Sequence, residues 1–315
     1  MLDNIILLLI GVIGLWFGSE IVVESAKRIA KRVGISRLII GLTITSVGTS
    51  LPEISTNLAA GFSTAAGIDA SGIAIGNIIG SNLSQITLLL GIAGFIATLT
   101  TTKRSLRRDG FMMFLAIFLM FMTCSDGYVT QLEGIVLAFS YMLYLGFLIR
   151  QEGVVAKFRK SHIPKKDIFL EVCRILVGII ILVVSARFII GNGVLLADEI
   201  GISESLIGIF VGLGTGIPEL SVSVRAITRG AGTLSIGNLM GSNITDPLLS
   251  FGLGASVAGV EVGKDVLEFD FVYWGFATLI ALLLLFNHLN LNRKESSILV
   301  LLYIFFIYCR ILFFP

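Results

Sequence analysis

Gly48-Thr49-Ser50-Leu51-Pro52-Glu53 and Gly214-Thr215-Gly216-Ile217-Pro218-Glu219 are two copies of one six-residue motif, each set inside strongly apolar sequence. A carboxylate surrounded by hydrocarbon is costly to keep, so a membrane segment that retains one is a functional-site hypothesis. A proline-acid pair retained twice also makes internal duplication the first property to follow along the chain.

Outward from the motif, the composition assigns the class. Hydrophobic residues are 55% of the 315-residue chain and charged residues 14%, and the mean hydropathy is +0.96. Lipid is the solvent for most of such a chain. About ten segments are long enough to cross a hydrocarbon core of about 30 Å, with approximate spans 4–26, 38–61, 71–98, 110–125, 128–149, 168–192, 205–226, 234–258, 271–288 and 297–313. The apolar run behind Asp3 lacks a basic leader and a cleavage site, and reads as a first membrane helix rather than a signal peptide. Cys124, Cys173 and Cys309 are isolated and odd in number, which indicates packing residues rather than a disulfide framework or a zinc site. The net charge of +2 carries no nucleic-acid signal, because the basic residues cluster beside the spans.

Those clusters set an orientation. Lys27, Arg28, Lys31, Arg32 and Arg37 follow the first span, Lys103, Arg104, Arg107 and Arg108 the third, and Arg150, Lys157, Arg159, Lys160, Lys165 and Lys166 the fifth. Arg225 with Arg229, and Arg293 with Lys294, continue the series, and such segments belong on the cytoplasmic side. Asp198, Glu199 and Glu204 follow the sixth span, and Glu261, Asp265, Glu268 and Asp270 the eighth; these loops read as outside, as do both termini.

The duplication is longer than the motif. Gly34-Ile35-Ser36 is answered by Gly201-Ile202-Ser203, and Gly76-Asn77-Ile78-Ile79-Gly80-Ser81-Asn82 by Gly237-Asn238-Leu239-Met240-Gly241-Ser242-Asn243. Aligning the first pair sets Lys31-Arg32 against Asp198-Glu199, so one position is basic in one half and acidic in the other. Five spans per half is an odd number, which turns the second copy upside down. The expected fold is an all-α membrane protein with about ten transmembrane helices in two inverted five-helix repeats, residues 1–149 and 168–315. Residues 150–167, with Pro164, form a cytoplasmic linker.

The chemistry follows from the motif. Proline removes an amide donor, so carbonyls near Pro52 and Pro218 lose helical partners and can turn to a ligand. Glu53 and Glu219, brought together at a pseudo-two-fold axis, supply two negative charges among neutral oxygens. That suits a hard cation with six to eight oxygen ligands, calcium better than magnesium. When the divalent ion leaves, monovalent cations or protons must neutralise the pair, and this requirement is the physical origin of exchange.

With both blocks in hand, the chain resembles the cation/calcium exchanger superfamily through its alpha-repeats, and its compact layout is similar to the archaeal sodium/calcium exchangers. The resemblance covers nearly the whole chain. It implies that Glu53 and Glu219 are central calcium ligands, assisted by the carbonyls of Thr49 and Thr215. The hydroxyls of both threonines, with Ser50, Ser81, Ser242 and carbonyls near Ser46 and Gly212, would form flanking sodium sites. Gln85 and Asp246 would occupy the remaining polar positions of the cavity. The resemblance further implies alternating access by sliding of the first and sixth helices, at the plasma membrane. Calcium, sodium and the bilayer are the expected partners, with no cofactor and no obligatory protein partner.

Departures accompany the likeness. Gly216 stands opposite Ser50, removing one hydroxyl from the second copy, and Gln85 stands where the resemblance leads one to expect asparagine. The stretch from Gly208 to Gly214 is one residue shorter than that from Gly41 to Gly48, a difference that rotates a helix face by about 100° unless local unwinding absorbs it. Plainer roles also stand beside the functional ones. Gly76, Gly80, Gly237 and Gly241 suit close helix contact, and Asn77, Asn82, Asn238 and Asn243 suit interhelical hydrogen bonds. Ser46, Ser81 and Ser242 could bond their own helix backbone, and Asp246 before Pro247 could act as a local cap. Glu20 and Glu24 read as salt-bridged groups at the inner end of the first span, Arg187 as snorkelling or paired, and His162 and His288 as solvated.

Three function classes compete: a sodium-for-calcium antiporter with calcium/proton or potassium-dependent exchange as variants, a cation channel, and an enzyme. The last lacks a nucleophile with a histidine base, a metal-ligand histidine cluster and a phosphate loop.

Overall fold

The computed structural model describes residues 2–32, 46–151, 165–228 and 232–314. Helix α1 spans Leu2–Arg32, α2 Ser46–Thr49, α3 Leu51–Ala65 and α4 Ser71–Leu83. A π-helical stretch Ser84–Leu89 continues α4 into α5 (Leu90–Ile96), followed by α6 (Lys103–Cys124) and α7 (Gln131–Gln151). The second half runs α8 (Lys165–Ile200), α9 (Glu204–Thr215), α10 (Ile217–Thr228) and α11 (Gly232–Thr245). A second π-helical stretch, Asp246–Ser250, leads into α12 (Phe251–Ala258), and a third, Val266–Asp270, opens α13 (Phe271–His288) before α14 (Arg293–Phe313). Among the described residues, two-residue strands β1 (Leu99–Thr100), β2 (Tyr128–Val129), β3 (Val260–Glu261) and β4 (Asn290–Leu291) join antiparallel as β1 with β4 and β2 with β3.

Among the described residues, seven helical runs are long and apolar enough to cross a membrane: Leu2–Ile29, Ser71–Ile96, Gln131–Leu148, Phe169–Ile200, Glu204–Thr228, Val266–Asn287 and Arg293–Phe313. The stretches α2–α3, α6 and α11–α12 fall short of that measure. Two of the three carry motif residues, and α6 opens with Lys103, Arg104, Arg107 and Arg108.

Polarity is arranged for lipid. Leu2, Ile6, Leu9, Ile13 and Phe17 make an exposed apolar stripe down α1 at three- and four-residue spacing, whereas Asn77, Ser81, Asn82 and Gln85 are fully buried. With no water in the hydrocarbon, polar groups must be satisfied inside the bundle.

Small residues bring the helices close. A Cβ on Gly76 would stand 2.1 Å from the Ser205 carbonyl oxygen, and one on Gly212 would stand 2.3 Å from that of Asn77, so α4 and α9 cross backbone to backbone. Helices α1 and α8 lie along each other through Gly11, Gly14, Gly18 and Gly178. Contacts exchange when the halves are exchanged: α3 meets α12 as α10 meets α5, and α7 meets α12 as α14 meets α5. The strand pairs obey the same exchange.

Several expectations need adjusting. Helix α6 starts at Lys103 rather than 110, because Thr102 caps it by accepting from the Ser105 amide at 3.1 Å. Helix α8 covers 36 residues, about 54 Å at 1.5 Å per residue. That run takes in Asp198 and Glu199, expected in a loop. Glu268 and Asp270 lie in the π-helical opening of α13, and Asp270 is fully buried. Its partner is Arg310, 0% exposed at the end of α14, 3.2 Å away. Arg310 also donates to Ser205 Oγ at 2.7 Å and pairs with Asp265. His288 closes α13. Arg150 and Gln151 end α7 and Lys165 opens α8, so the linker expectation for 152–164, including His162 and Pro164, falls outside the described residues. The same holds for Gly34-Ile35-Ser36, Arg37, Gly41 and Arg229.

Candidate functional site

The two motif copies build the same bend. Ser50, at φ −81° and ψ 7°, separates α2 from α3, and Gly216, at φ −73° and ψ −2°, separates α9 from α10. Pro52 and Pro218 are each the second residue of the following helix, where a missing N–H is tolerated and the fixed φ already suits the helix. The first turn then closes identically, Ile54 N donating to Ser50 O at 3.0 Å and Leu220 N to Gly216 O at 3.1 Å. Glu53 and Glu219 therefore stand in the first turn of a helix, at the positive end of its dipole, which favours a carboxylate otherwise stripped of water.

The second motif block supplies the facing side. Both α4 and α11 pass into π-helical turns, and these wider turns carry Gln85 and Asp246 at corresponding places. Such turns are frequent at functional sites. Gln85 Nε2 donates to Asp246 Oδ2 at 3.2 Å, Ser81 Oγ reaches the same oxygen at 3.5 Å, and Asn243 Nδ2 donates to Gln85 Oε1 at 2.8 Å. Ser50 and Ser250 lie beside Asp246 without forming a hydrogen bond to it.

Each glutamate meets the opposite half. Thr215 lies beside Glu53, and Thr49 beside Glu219. Ser242 Oγ donates to Glu219 Oε1 at 3.4 Å, while Thr215 Oγ1 donates to Asn77 Oδ1 at 3.2 Å and to Gly212 O at 3.1 Å. Asn57 Nδ2, one turn along the same helix, donates to the Glu53 carbonyl at 3.0 Å, and Asn238 Nδ2 of α11 donates to that of Glu219 at 3.5 Å. Glu53, Glu219 and Asp246 are all 0% exposed and near enough to feel one another's charge.

Of the residues anticipated from sequence, Glu53, Glu219, Thr49, Thr215, Ser50, Ser81, Ser242, Gln85 and Asp246 come together. The Gly212 carbonyl accepts from Thr215 and from the Gly216 amide, and its Cα lies against α4. Ser46 opens α2, and its side chain lies outside the described residues. Asn243 and Asn77 belong to the network as donor and acceptor across the halves, as the shared asparagines of the second block suggest.

What the arrangement can do follows from its unmet polarity. Both Glu53 oxygens, Glu219 Oε2 and Asp246 Oδ1 are buried without a hydrogen-bond partner among the described residues. The buried Arg310 is spent on Asp265, Asp270 and Ser205. Bare carboxylates in low dielectric must be neutralised by cations or protons. Among the described residues no three acidic, histidine or cysteine side chains converge tightly enough to hold a metal alone. A cation here would complete its shell with hydroxyl, amide and carbonyl oxygens, as hard cations do.

Known proteins resemble the chain along nearly its whole length. The profile of the family described as "Sodium/calcium exchanger protein" matches residues 4–150 and 170–312. The sodium/calcium exchanger MaX1 of Methanosarcina acetivorans is 29% identical over 96% of this chain and 97% of its own length. A solved structure of the sodium-calcium exchanger NCX_Mj, soaked with sodium and strontium, superposes with a TM-score of 0.65 at 26% identity, covering 98% of each chain. The crystal structure of the H+/Ca2+ exchanger CAX shares the fold at a TM-score of 0.75 and 17% identity, covering 99% of this chain and 82% of that one.

Proposed function

The chain belongs to the sodium/calcium exchanger protein family, a family of membrane transporters and not of enzymes, and on that footing we propose that it exchanges sodium for calcium by alternating access. The observation that carries the reading is the burial of Glu53 and Glu219, each at the start of a broken helix, with carboxylate oxygens left unpartnered where the two halves meet. Broken helices meeting near the membrane midplane are how repeat-built transporters form ion sites. Calcium would take Glu53 and Glu219 with the Thr49 and Thr215 carbonyls. Sodium would take the hydroxyls of Thr49, Thr215, Ser50, Ser81 and Ser242, with Asp246 and Gln85 between.

The architecture proposed with it is ten spans in two inverted repeats, residues 1–149 and 168–315, joined by a cytoplasmic linker. Both termini lie outside, in the plasma membrane. Exchange-symmetric helix contacts support it, as does the profile's match to each half. The small-residue seam between α1 and α8 suits their sliding as the moving layer.

One feature favours proton coupling as a second reading: Gly216 leaves the second bend without the hydroxyl that Ser50 gives the first. Sealed vesicles separate the two. Calcium uptake driven by an outward sodium gradient and insensitive to a protonophore supports sodium coupling, whereas uptake that follows only a pH gradient replaces it. Conductance without any counter-ion would sink both in favour of a channel.

A further inference from the structure

Glu20 and Glu24 lie one helical turn apart on α1, and both line a cleft that runs to the site. Ser19 of α1 and Ser221 of α10 share its walls, and it ends on Thr49 and Pro218. Its volume of about 60 Å³ holds a few waters or a partly hydrated cation. Glu219 follows Pro218 directly in the chain, and its Oε2 is buried and unpartnered. Glu24, with its side chain 47% exposed and 3.4 Å from Lys27, is at the open end, and Glu20 is half-buried one turn deeper.

The corresponding positions of the second half carry no acid. Setting Gly34-Ile35-Ser36 on Gly201-Ile202-Ser203 places Arg187 opposite Glu20 and Gly191 opposite Glu24, and Arg187 is exposed. The acidic ladder therefore belongs to one side of the membrane. Lys27, Arg28, Lys31 and Arg32 follow it in α1, which makes that side the cytoplasm.

We propose that Glu20 and Glu24 line the cytoplasmic access path, drawing calcium from the inner solution along α1 to Thr49 and Glu219; this rests on the exchange function proposed above. Two carboxylates at successive turns raise the local cation concentration in a low-dielectric cleft, and their absence from the repeat-related positions makes the two faces unequal.

The test measures half-saturating calcium separately at each face of oriented vesicles carrying Glu20→Gln, Glu24→Gln or both. Glu20→Gln raises the inner value about tenfold and leaves the outer value unchanged, with a smaller rise for Glu24→Gln. No change at the inner face, or an equal rise at both faces, overturns the proposal. A second measurement does not depend on transport. Ser221→Cys, with Cys124→Ala, Cys173→Ala and Cys309→Ala, is exposed to a membrane-impermeant methanethiosulfonate reagent. Labelling from the inner face, slowed by millimolar calcium, supports the path, and labelling from the outer face alone refutes it. Inner-face labelling slowed by calcium in vesicles that show no sodium-driven flux would overturn the exchange reading and leave the access path standing.

Discussion

Ser50 and Gly216 occupy the same bend with nearly the same backbone angles, φ −81° against −73°, yet the carboxylates that follow them keep different company. Glu219 receives the Ser242 hydroxyl, whereas neither oxygen of Glu53 has a hydrogen-bond partner among the described residues. One π-helical turn presents the neutral Gln85 and the other the acidic Asp246, bonded to each other. Duplication has preserved the elements that set backbone geometry, proline and the first-turn glutamate, while the surrounding oxygens have diverged. Under the exchange function proposed above, a cation between the two bends would meet two unlike faces, and that inequality would separate the ligands of one ion from those of its replacement.

The comparison is broken most severely at the shared residues. Glu53→Gln or Glu219→Gln is expected to lower calcium flux in vesicles by at least about a hundredfold, since each removes one of the charges that makes dehydration of a divalent ion tolerable. Size-exclusion profiles should stay intact, and exchange retained in both single variants would remove the glutamates from the site. Next in size is Gly212→Ala, where a Cβ would meet the Asn77 carbonyl oxygen at 2.3 Å and the Ser81 amide nitrogen at 2.5 Å. Overpacking of this kind costs about 1–3 kcal/mol, so thermal melting in detergent should drop; an unchanged melting point would mean that the α4–α9 crossing is looser than the geometry requires.

Asp246→Asn makes the second π-helical turn resemble the first by exchanging its carboxylate for an amide. Lower ligand charge weakens hard-cation binding, and half-saturating calcium is expected to rise by about tenfold, a smaller effect than losing either glutamate. An effect equal to theirs would place Asp246 among the central ligands. The mildest change repairs the difference between the bends. A Cβ on Gly216 would find its nearest neighbours at 3.5 Å, and its φ is open to any residue, so Gly216→Ser should fit. Sodium dependence of flux is then expected to strengthen by about threefold, less than 1 kcal/mol. Unchanged sodium affinity would show that backbone or water already fills the place of the hydroxyl.

The membrane class and the motif residues are legible in the sequence, because hydropathy and duplicated blocks are local properties of the chain. Other features are not. Asp270 reads as a loop acid, and only the fold brings it to 3.2 Å from Arg310, 40 residues away in the chain. Pro247 hints at an irregular turn after Asp246, while nothing in Ser84-Gln85-Ile86-Thr87 signals the matching turn in the first half. Glu20 and Glu24 read as surface groups, since a helical stripe does not reveal which neighbouring helix closes a cleft over it.

By itself the sequence determined that this protein lives in lipid, that the same motif blocks recur in its two halves, and that each first block carries a proline-preceded glutamate. Burying charge in hydrocarbon is too costly to persist without use. The tertiary structure alone decided which polar atoms meet: Asn243 with Gln85, Gln85 with Asp246, Thr215 with Asn77. Those contacts span more than a hundred residues each. Their geometry depends on how closely α4 and α9 can cross, which is set by glycine backbones in contact rather than by any local pattern.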